Sequence, residues 1–225
     1  MSSESFLKSS LDSPLQSDSE ESTKANTYDK SGNTPLISAI LAEDYTEATR
    51  LINHGAKVDA CNSYGNTALM FACYGDNLAL VILLLKNDAQ TNFVNKNGET
   101  ALFNACSNMS GESNIEIVKH LLASGAQKTI NTKEHIYNES PLSIACEYQD
   151  EKLATLLIDN GADLRQVGKN KTHTSWLKTK VSLSPIQLSE LNVRTSIFFP
   201  KVIKRRHSES DIKSLRKNHD HSSTL

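Results

Sequence analysis

Cysteine and histidine are the residues of this chain that could bind a metal, form a disulfide or act as a catalytic nucleophile and base. The sequence has four cysteines and seven histidines. Zinc and redox motifs place two cysteines a few residues apart, as in Cys-x-x-Cys, and no such pair occurs here. The histidines are scattered, and His219 and His221 form a weak pair near the end of the sequence. We therefore expect no metal site.

The longer motifs of catalysis are also missing from the sequence. It has no Gly-x-x-x-x-Gly-Lys phosphate loop, no Gly-x-Ser-x-Gly nucleophile turn and no His-Glu-x-x-His zinc helix. We expect no catalytic residues, no cofactor and no small-molecule substrate. An enzyme with its site in 166–225 is disfavoured, because no ionisable side chains converge there.

A short phrase that begins with glycine recurs along the chain at a fixed period. The glycines Gly32, Gly65 and Gly98 are evenly spaced, and each is followed by Thr at the second position after it. A weaker fourth copy begins at Asn138, and a second phrase ending in Ala follows each copy, at Ala56, Ala89, Ala126 and Ala162. Such self-similarity, with a period of about 33 residues, is typical of stacked helical repeats. It therefore favours binding over catalysis.

The second copy shows the local structure that each repeat should adopt. Gly65 lies in a turn because glycine accepts positive φ, and Thr67 follows as a helix N-cap. Leu69, Ala72 and Cys73 then recur with helical spacing. We expect a second, apolar helix from about Leu78 to Lys86. In the first and fourth copies, proline stands at the first helical position, where it is tolerated, as Pro35 and Pro141.

Three of the four cysteines follow an alanine at the same place in successive repeats, namely Cys73, Cys106 and Cys146; the fourth is Cys61. Stacked helices lie about 8–10 Å apart, which exceeds the reach of a disulfide. Free cysteine packs as a small hydrophobe. We therefore expect free cysteines that fill the core, in a reducing compartment.

The repeated phrases resemble the ankyrin repeat family over about residues 27–165. Its Thr-Pro-Leu-His-x-Ala signature is matched four times, beginning at Thr34, Thr67, Thr100 and Ser140. The resemblance implies an all-α solenoid of stacked helix-turn-helix units with β-turn or hairpin loops, flanked by disordered or partly ordered tails. The signature histidine is replaced by Ile37, Met70, Phe103 and Ser143, so we expect the loops to be tied less firmly. The third repeat is four residues longer than the first, and we expect the extra residues between its helices, around 108–114.

The sequence divides into four parts. We predict a disordered, Ser-rich acidic arm over 1–26, ankyrin repeats over 27–165, a degenerate cap repeat or short helix over 166–192, and a basic, mostly disordered tail over 193–225. Within the second part, the repeats span 27–60, 61–93, 94–131 and 132–165. Net charge follows this division, being −3 over 1–26, −7 over 27–165 and +8 over 166–225, which indicates that the parts face different partners or each other.

The tail contains a basic patch, Lys201, Lys204, Arg205 and Arg206. Three interpretations are open: a nuclear import signal, a contact with nucleic acid or an anionic membrane, or a solvated tail that rests on the acidic repeats. Ser208 follows two arginines in the manner of a basophilic kinase site, and phosphate there would reduce the local positive charge.

The resemblance implies that turn tips and the exposed face of each first helix contact another protein. Carried over by position, the predicted contact residues are Lys30, Asn33, Tyr64, Asn66, Tyr74, Lys96, Asn97, Glu99, Asn108, Tyr137, Glu139, Glu147 and Tyr148. Tyrosine is enriched at interface hot spots, which strengthens the prediction for the four tyrosines.

We expect a monomeric protein-interaction module that acts as an adaptor, a targeting subunit or an inhibitory subunit. No signal peptide or membrane-length apolar run is visible, which favours the cytoplasm or the nucleus. An alternative is a bacterial effector delivered into a host cell, with repeats that bind a host protein and a tail that carries the export signal. Deleting the tail should separate the two, because an effector would lose delivery and keep target binding.

Overall fold

A computed structural model describes residues 26–108, 112–167 and 170–191. Over these residues the chain forms ten α-helices, joined by turns and by two short 3-10 segments, Ala126–Thr129 and Leu164–Gln166. The α-helices are α1 Pro35–Leu41, α2 Tyr45–Asn53, α3 Ala68–Tyr74, α4 Leu78–Lys86, α5 Ala101–Ser107, α6 Glu112–Ala123, α7 Pro141–Glu147, α8 Glu151–Asp159, α9 Lys171–Lys180 and α10 Pro185–Leu191. The first eight helices pack as four successive pairs, α1 with α2 through α7 with α8, so the expectation of an all-α solenoid is confirmed.

The first helix of each repeat begins at a hydroxyl cap. The side chain of Thr67 accepts a hydrogen bond from the Met70 amide at 3.3 Å, and Thr34, Thr100 and Ser140 do the same for the residue three positions on. Such a cap satisfies an N–H group that would otherwise lack a partner. Pro35 and Pro141 occupy the first helical position, as the sequence predicts.

The second helices begin at Asp or Asn caps. Asp44, Asn77 and Asp150 each accept a hydrogen bond from the amide three residues later, and α4 spans the predicted Leu78–Lys86. The extra residues of the third repeat lie at the predicted place, around 108–114, but not wholly between its helices, because α6 begins at Glu112. α6 has 12 residues where α4 has 9, so the extra residues mainly lengthen the second helix rather than the loop.

The core runs along the stack between the two helices of each pair. Ile37, Met70, Phe103 and Ser143, at the position of the signature histidine, are all buried. Cys73, Cys106 and Cys146 are also buried, and burial raises the pKa of the Cys146 thiol to about 12. Cys61 is exposed, so the prediction of a core role is wrong for this cysteine, because it lies in the extended return and not in a helix.

Two helices close the C-terminal end of the described stack. Leu177 of α9 is fully buried, and Trp176 packs against the core. Before α10, the Ser184 amide donates to Gln187 Oε1 at 2.8 Å and the Gln187 amide donates to Ser184 Oγ at 3.4 Å, which is a capping box. His173 stands three residues after its cap Asn170, at the signature position that the four preceding repeats fill with other residues.

No helix of the described residues is both long and apolar enough to cross a membrane. The predicted arm, apart from Asn26, and the predicted tail lie outside the described residues.

Candidate functional site

Each turn tip is built around one side chain that accepts hydrogen bonds from the turn it precedes. Asn62 Oδ1 accepts from the amides of Tyr64 and Asn66, both at 3.0 Å. Asp29 and Asn95 make the equivalent bonds in the first and third repeats, and in the fourth repeat Glu134 accepts from the amides of Ile136 and Tyr137. Burial alone would raise the pKa of Asp29, but the hydrogen bonds that it accepts from Asn33, Ser31 and Ser38 together lower it by more. The pKa of this carboxyl therefore lies below its ordinary value.

The tips are also joined to one another. Asn62 Nδ2 donates to Asn33 Oδ1 at 3.1 Å, and Asn95 Nδ2 donates to Asn66 Oδ1 at 2.6 Å. We call these two bonds the asparagine ladder. Backbone bonds run beside it, from the Lys96 amide to the Tyr64 carbonyl at 3.0 Å and from the His135 amide to the Asn97 carbonyl at 2.7 Å. The loops are therefore joined by side-chain and backbone hydrogen bonds, and the expectation that they are tied less firmly than in the family stays a prediction.

Glycine at a tip can take left-handed backbone and, having no Cβ atom, leaves room for the next tip. Gly98 has φ +80°, and a Cβ atom there would lie 2.6 Å from the His135 ring and 2.7 Å from the Lys133 carbonyl oxygen. Only glycine satisfies both constraints. Asn138 takes the equivalent position in the fourth repeat with φ +57°, which asparagine tolerates.

A second set of side chains joins the extended returns between repeats. Asn26 Oδ1 accepts from the Lys57 amide at 2.7 Å, and Asp59 Oδ1 accepts from the Gln90 amide at 2.8 Å. Asn131 does the same for the Asp163 amide at 2.7 Å. Asn92 occupies the corresponding place, one repeat period after Asp59, but its Oδ1 has no hydrogen-bond partner among the described residues. In the following repeat, the return begins with the 3-10 segment Ala126–Thr129.

The tips expose the side chains that could contact another molecule. Tyr64 is 63% exposed and Tyr137 is 51% exposed. Three further predicted contact residues, Lys30, Lys96 and Asn97, are also exposed. The tips thus present aromatic rings beside lysine and asparagine, a mixture typical of protein interfaces.

Three predicted contact residues, Asn33, Asn66 and Asn108, hold neighbouring repeats together instead of projecting outward, and a fourth, Glu99, is bound within its own turn. Asn33 is only 5% exposed, and Asn66 is the acceptor of the asparagine ladder. Glu99 accepts from Asn95 Nδ2 at 2.6 Å, and Asn108 donates to the Tyr74 carbonyl at 2.8 Å. Glu139, in the last tip, is half-buried. These side chains shape the surface, and direct contact through them stays a prediction.

The ends of the first helices form the second part of the predicted surface. Glu147 is exposed, whereas Tyr74 and Tyr148 are half-buried. Tyr148 packs against the hydrophobic core, so its truncation would reduce stability as well as contact. Tyr64 and Tyr137 are therefore the better probes of binding.

Sequence reasoning missed exposed apolar residues just before the tips. Tyr28, Cys61 and Val94 follow one another at the repeat period and are all exposed, with Tyr28 at 60% and Val94 at 47%. Phe93 and Ile136 add apolar surface nearby in the sequence, at 38% and 68% exposure. The period itself was the available signal, because it places these residues in one row of an otherwise polar return.

The described residues contain no group of three or more His, Cys, Asp and Glu side chains that could hold a metal ion. Burial lowers the pKa of His173, and Glu147 partly opposes the change. Its Nδ1 is buried without a hydrogen-bond partner. Ser208 and the basic patch at Lys201, Lys204, Arg205 and Arg206 lie outside the described residues.

Comparison with known proteins gives one family. A sequence model of ankyrin repeats, in three copies, matches residues 15–94 and 76–168, which together cover more than half of the chain. Ankyrin repeats generally act as protein–protein interaction modules and are typically non-catalytic. None of the curated proteins matches the chain.

Proposed function

This chain belongs to the ankyrin repeat family, and from that premise we propose that it is an adaptor, targeting or inhibitory subunit that holds one partner protein across its turn tips and the ends of its first helices. The observation that carries the proposal is the pair of exposed tip tyrosines, Tyr64 and Tyr137, on tips fixed by hydrogen bonds within and between repeats. A surface that is rigid before binding loses little conformational entropy when a partner docks.

The charge of the repeats adds a preference among partners. Residues 27–165 carry ten basic and seventeen acidic residues, yet Lys30 and Lys96 stand exposed at the tips. A partner with a mixed surface, basic towards the repeat body and acidic towards the tips, would be complementary to this arrangement.

Capture of partners from a cell lysate tests the proposal. The full chain is compared with a Tyr64→Ala/Tyr137→Ala variant and with Tyr45→Ala, a control that truncates a tyrosine of the outer helix α2. We expect one protein to be retained by the wild type and the control and to be lost, by at least about tenfold, from the double variant, since each interface hot spot contributes about 2 kcal/mol or more. Equal retention by all three chains would refute the role of the tips.

We further propose that the chain works as a monomer in the cytoplasm or the nucleus. Its four cysteines are free, three of them in the core, which suits a reducing compartment. Imaging of a fluorescent fusion, with and without neutral residues in the basic patch, tests the compartment and the import signal together. Secretion of the fusion would contradict the proposal.

A further inference from the structure

The outer wall of the second repeat differs from the outer walls of its neighbours. Ile82 stands five residues after the cap of α4, and the same position holds Thr49 in α2 and Thr155 in α8. Both threonine hydroxyls donate to a carbonyl of the preceding turn at 2.7 Å. Ile82 has no hydroxyl to donate, and with Ala79 and Leu83 it forms an apolar surface that we call the α4 facet.

The α4 facet lines a groove of about 500 Å³ between α2 and α4, walled on the other side by Tyr45 and Thr49. Ion pairs lie on the helices to either side, Arg50 with Glu47 on α2 and Lys119 with Glu116 on α6, each at 2.7 Å. An apolar centre with a charged rim is the arrangement of a docking site.

The groove is too small to hold a second copy of the chain. A stable interface needs about 20–30 residues on each side, whereas eight residues line this groove. A short segment with few apolar residues fits it better. Residues 1–25 have that composition: their large apolar residues are Met1, Phe6, Leu7, Leu11 and Leu15.

The start of the described chain places that segment beside the groove. Asn26 accepts from the Lys57 amide at 2.7 Å and donates to the Gly55 carbonyl at 3.5 Å, just after the end of α2. Leu15 is 11 residues before Asn26, a contour of about 36 Å. α2 has nine residues and is about 13 Å long, so the segment can reach any point of the groove.

Charge also favours this occupant. Residues 1–25 contain five acidic residues and two lysines. Lys57, beside Asn26, and Lys86, at the groove, are both exposed. Because a short tether gives an effective concentration in the millimolar range, even a weak contact of this kind would be populated.

We propose that residues 1–25 fold back along α2 and insert leucine side chains, Leu11 and Leu15, into the groove at the α4 facet. This intramolecular contact lies on the outer helices and is independent of partner binding at the tips.

Paramagnetic broadening in the full chain tests the contact. A nitroxide is attached to Ser13→Cys in a Cys61→Ser background, since the other three cysteines are buried. We expect the amide signals of Ile82 and Leu83 to lose at least half of their intensity, and the signal of Thr155 on α8 to keep its intensity. Ile82→Thr, which restores the residue of α2 and α8, should reduce the broadening at α4 severalfold.

Two results would overturn the proposal. Broadening at α4 no greater than at α8 would show that the arm does not dock there. Broadening that appears on an isotope-labelled, nitroxide-free chain mixed with an unlabelled nitroxide chain would assign the groove to a second copy. If Ile82→Thr fails to fold, a Leu11→Ser/Leu15→Ser variant replaces it, because it changes no described residue. This variant should also reduce the broadening at α4 severalfold.

Discussion

Replacing Asn62 by alanine should measure how strongly the turn tips stabilise the stack. Asn62 is 9% exposed and makes three hydrogen bonds, two accepted from its own turn and one donated to Asn33. A net contribution of about 1 kcal/mol for each bond gives a loss of about 3 kcal/mol. For a chain of this size that corresponds to a fall in Tm of roughly 6–12 °C.

Urea unfolding followed by far-ultraviolet circular dichroism gives the free energy of unfolding of each variant. Asn62→Asp keeps both acceptor bonds and loses the donor to Asn33, so we expect it to lose about 1 kcal/mol. Asn97→Ala is the matched control, because it makes the same chemical change at an exposed tip residue. We expect it to lie within about 0.5 kcal/mol of the wild type.

The reasoning fails if Asn62→Ala unfolds within about 0.5 kcal/mol of the wild type, because the tips would then be tied by their backbone bonds alone. It also fails if Asn62→Asp costs as much as Asn62→Ala. That result would assign the whole effect to the bond between repeats and none to the turn.

Three other perturbations test separate parts of the structure. Because burial lowers the pKa of His173 below its ordinary value of 6.5, the neutral ring contributes stability above pH 6.5 that is lost as the pH falls towards the lower folded pKa; urea unfolding between about pH 7.5 and about pH 5 measures this loss. A thiol reagent at neutral pH should modify Cys61 alone in the folded chain, since the other thiols are buried, and all four in urea. Gly161→Ala should cost about 1 kcal/mol, for its positive φ alone, and Gly98→Ala at least twice as much, because its Cβ would also strike His135; thermal unfolding compares the two.

Each of these tests has a control and a contrary result. His173→Gln should lose its share of the pH dependence, and an unchanged slope would show that other groups cause it. Folded Cys61→Ser should not react with the thiol reagent, so modification of one thiol in this variant would mean that a core cysteine is accessible. Equal losses for Gly98→Ala and Gly161→Ala would show that the fourth tip is free to move away.

The fold could be predicted from the sequence because its signals are local. Thr67 followed by Leu69, Ala72 and Cys73 specifies a capped helix with one buried face, and the structure begins α3 there. The constant repeat period then fixes how such units stack. The same logic predicted α4, since that helix depends on residues within a few turns.

The surface was harder to predict because it depends on neighbours that are distant in the sequence. The bond between Asn33 and Asn62 spans 29 residues, and neither asparagine looks different from an exposed turn residue when each is read alone. Only comparison at the repeat period relates Asn62 to Asn95 and Asn33 to Asn66. The exposure of Cys61 was missed for the same reason, since an extended return has no helical periodicity from which to read its faces.

Asn92, whose side-chain oxygen lacks the bond that Asp59 and Asn131 make, gives this array an uneven mechanical character. Repeats joined end to end bear a pulling force in series, so the joint with the weakest bonds yields first. Between the second and third repeats the returns are joined by Thr91 Oγ1, which donates to the Ser124 carbonyl at 3.3 Å, a longer bond than those of Asp59 and Asn131 at 2.8 and 2.7 Å. We predict that stretching the molecule from its two ends separates the returns there first. Thr91→Val should lower the first rupture force recorded by force spectroscopy, whereas Asn92→Ala should leave it unchanged. Equal first rupture forces for Thr91→Val and the wild type would show that the missing bond has no mechanical consequence.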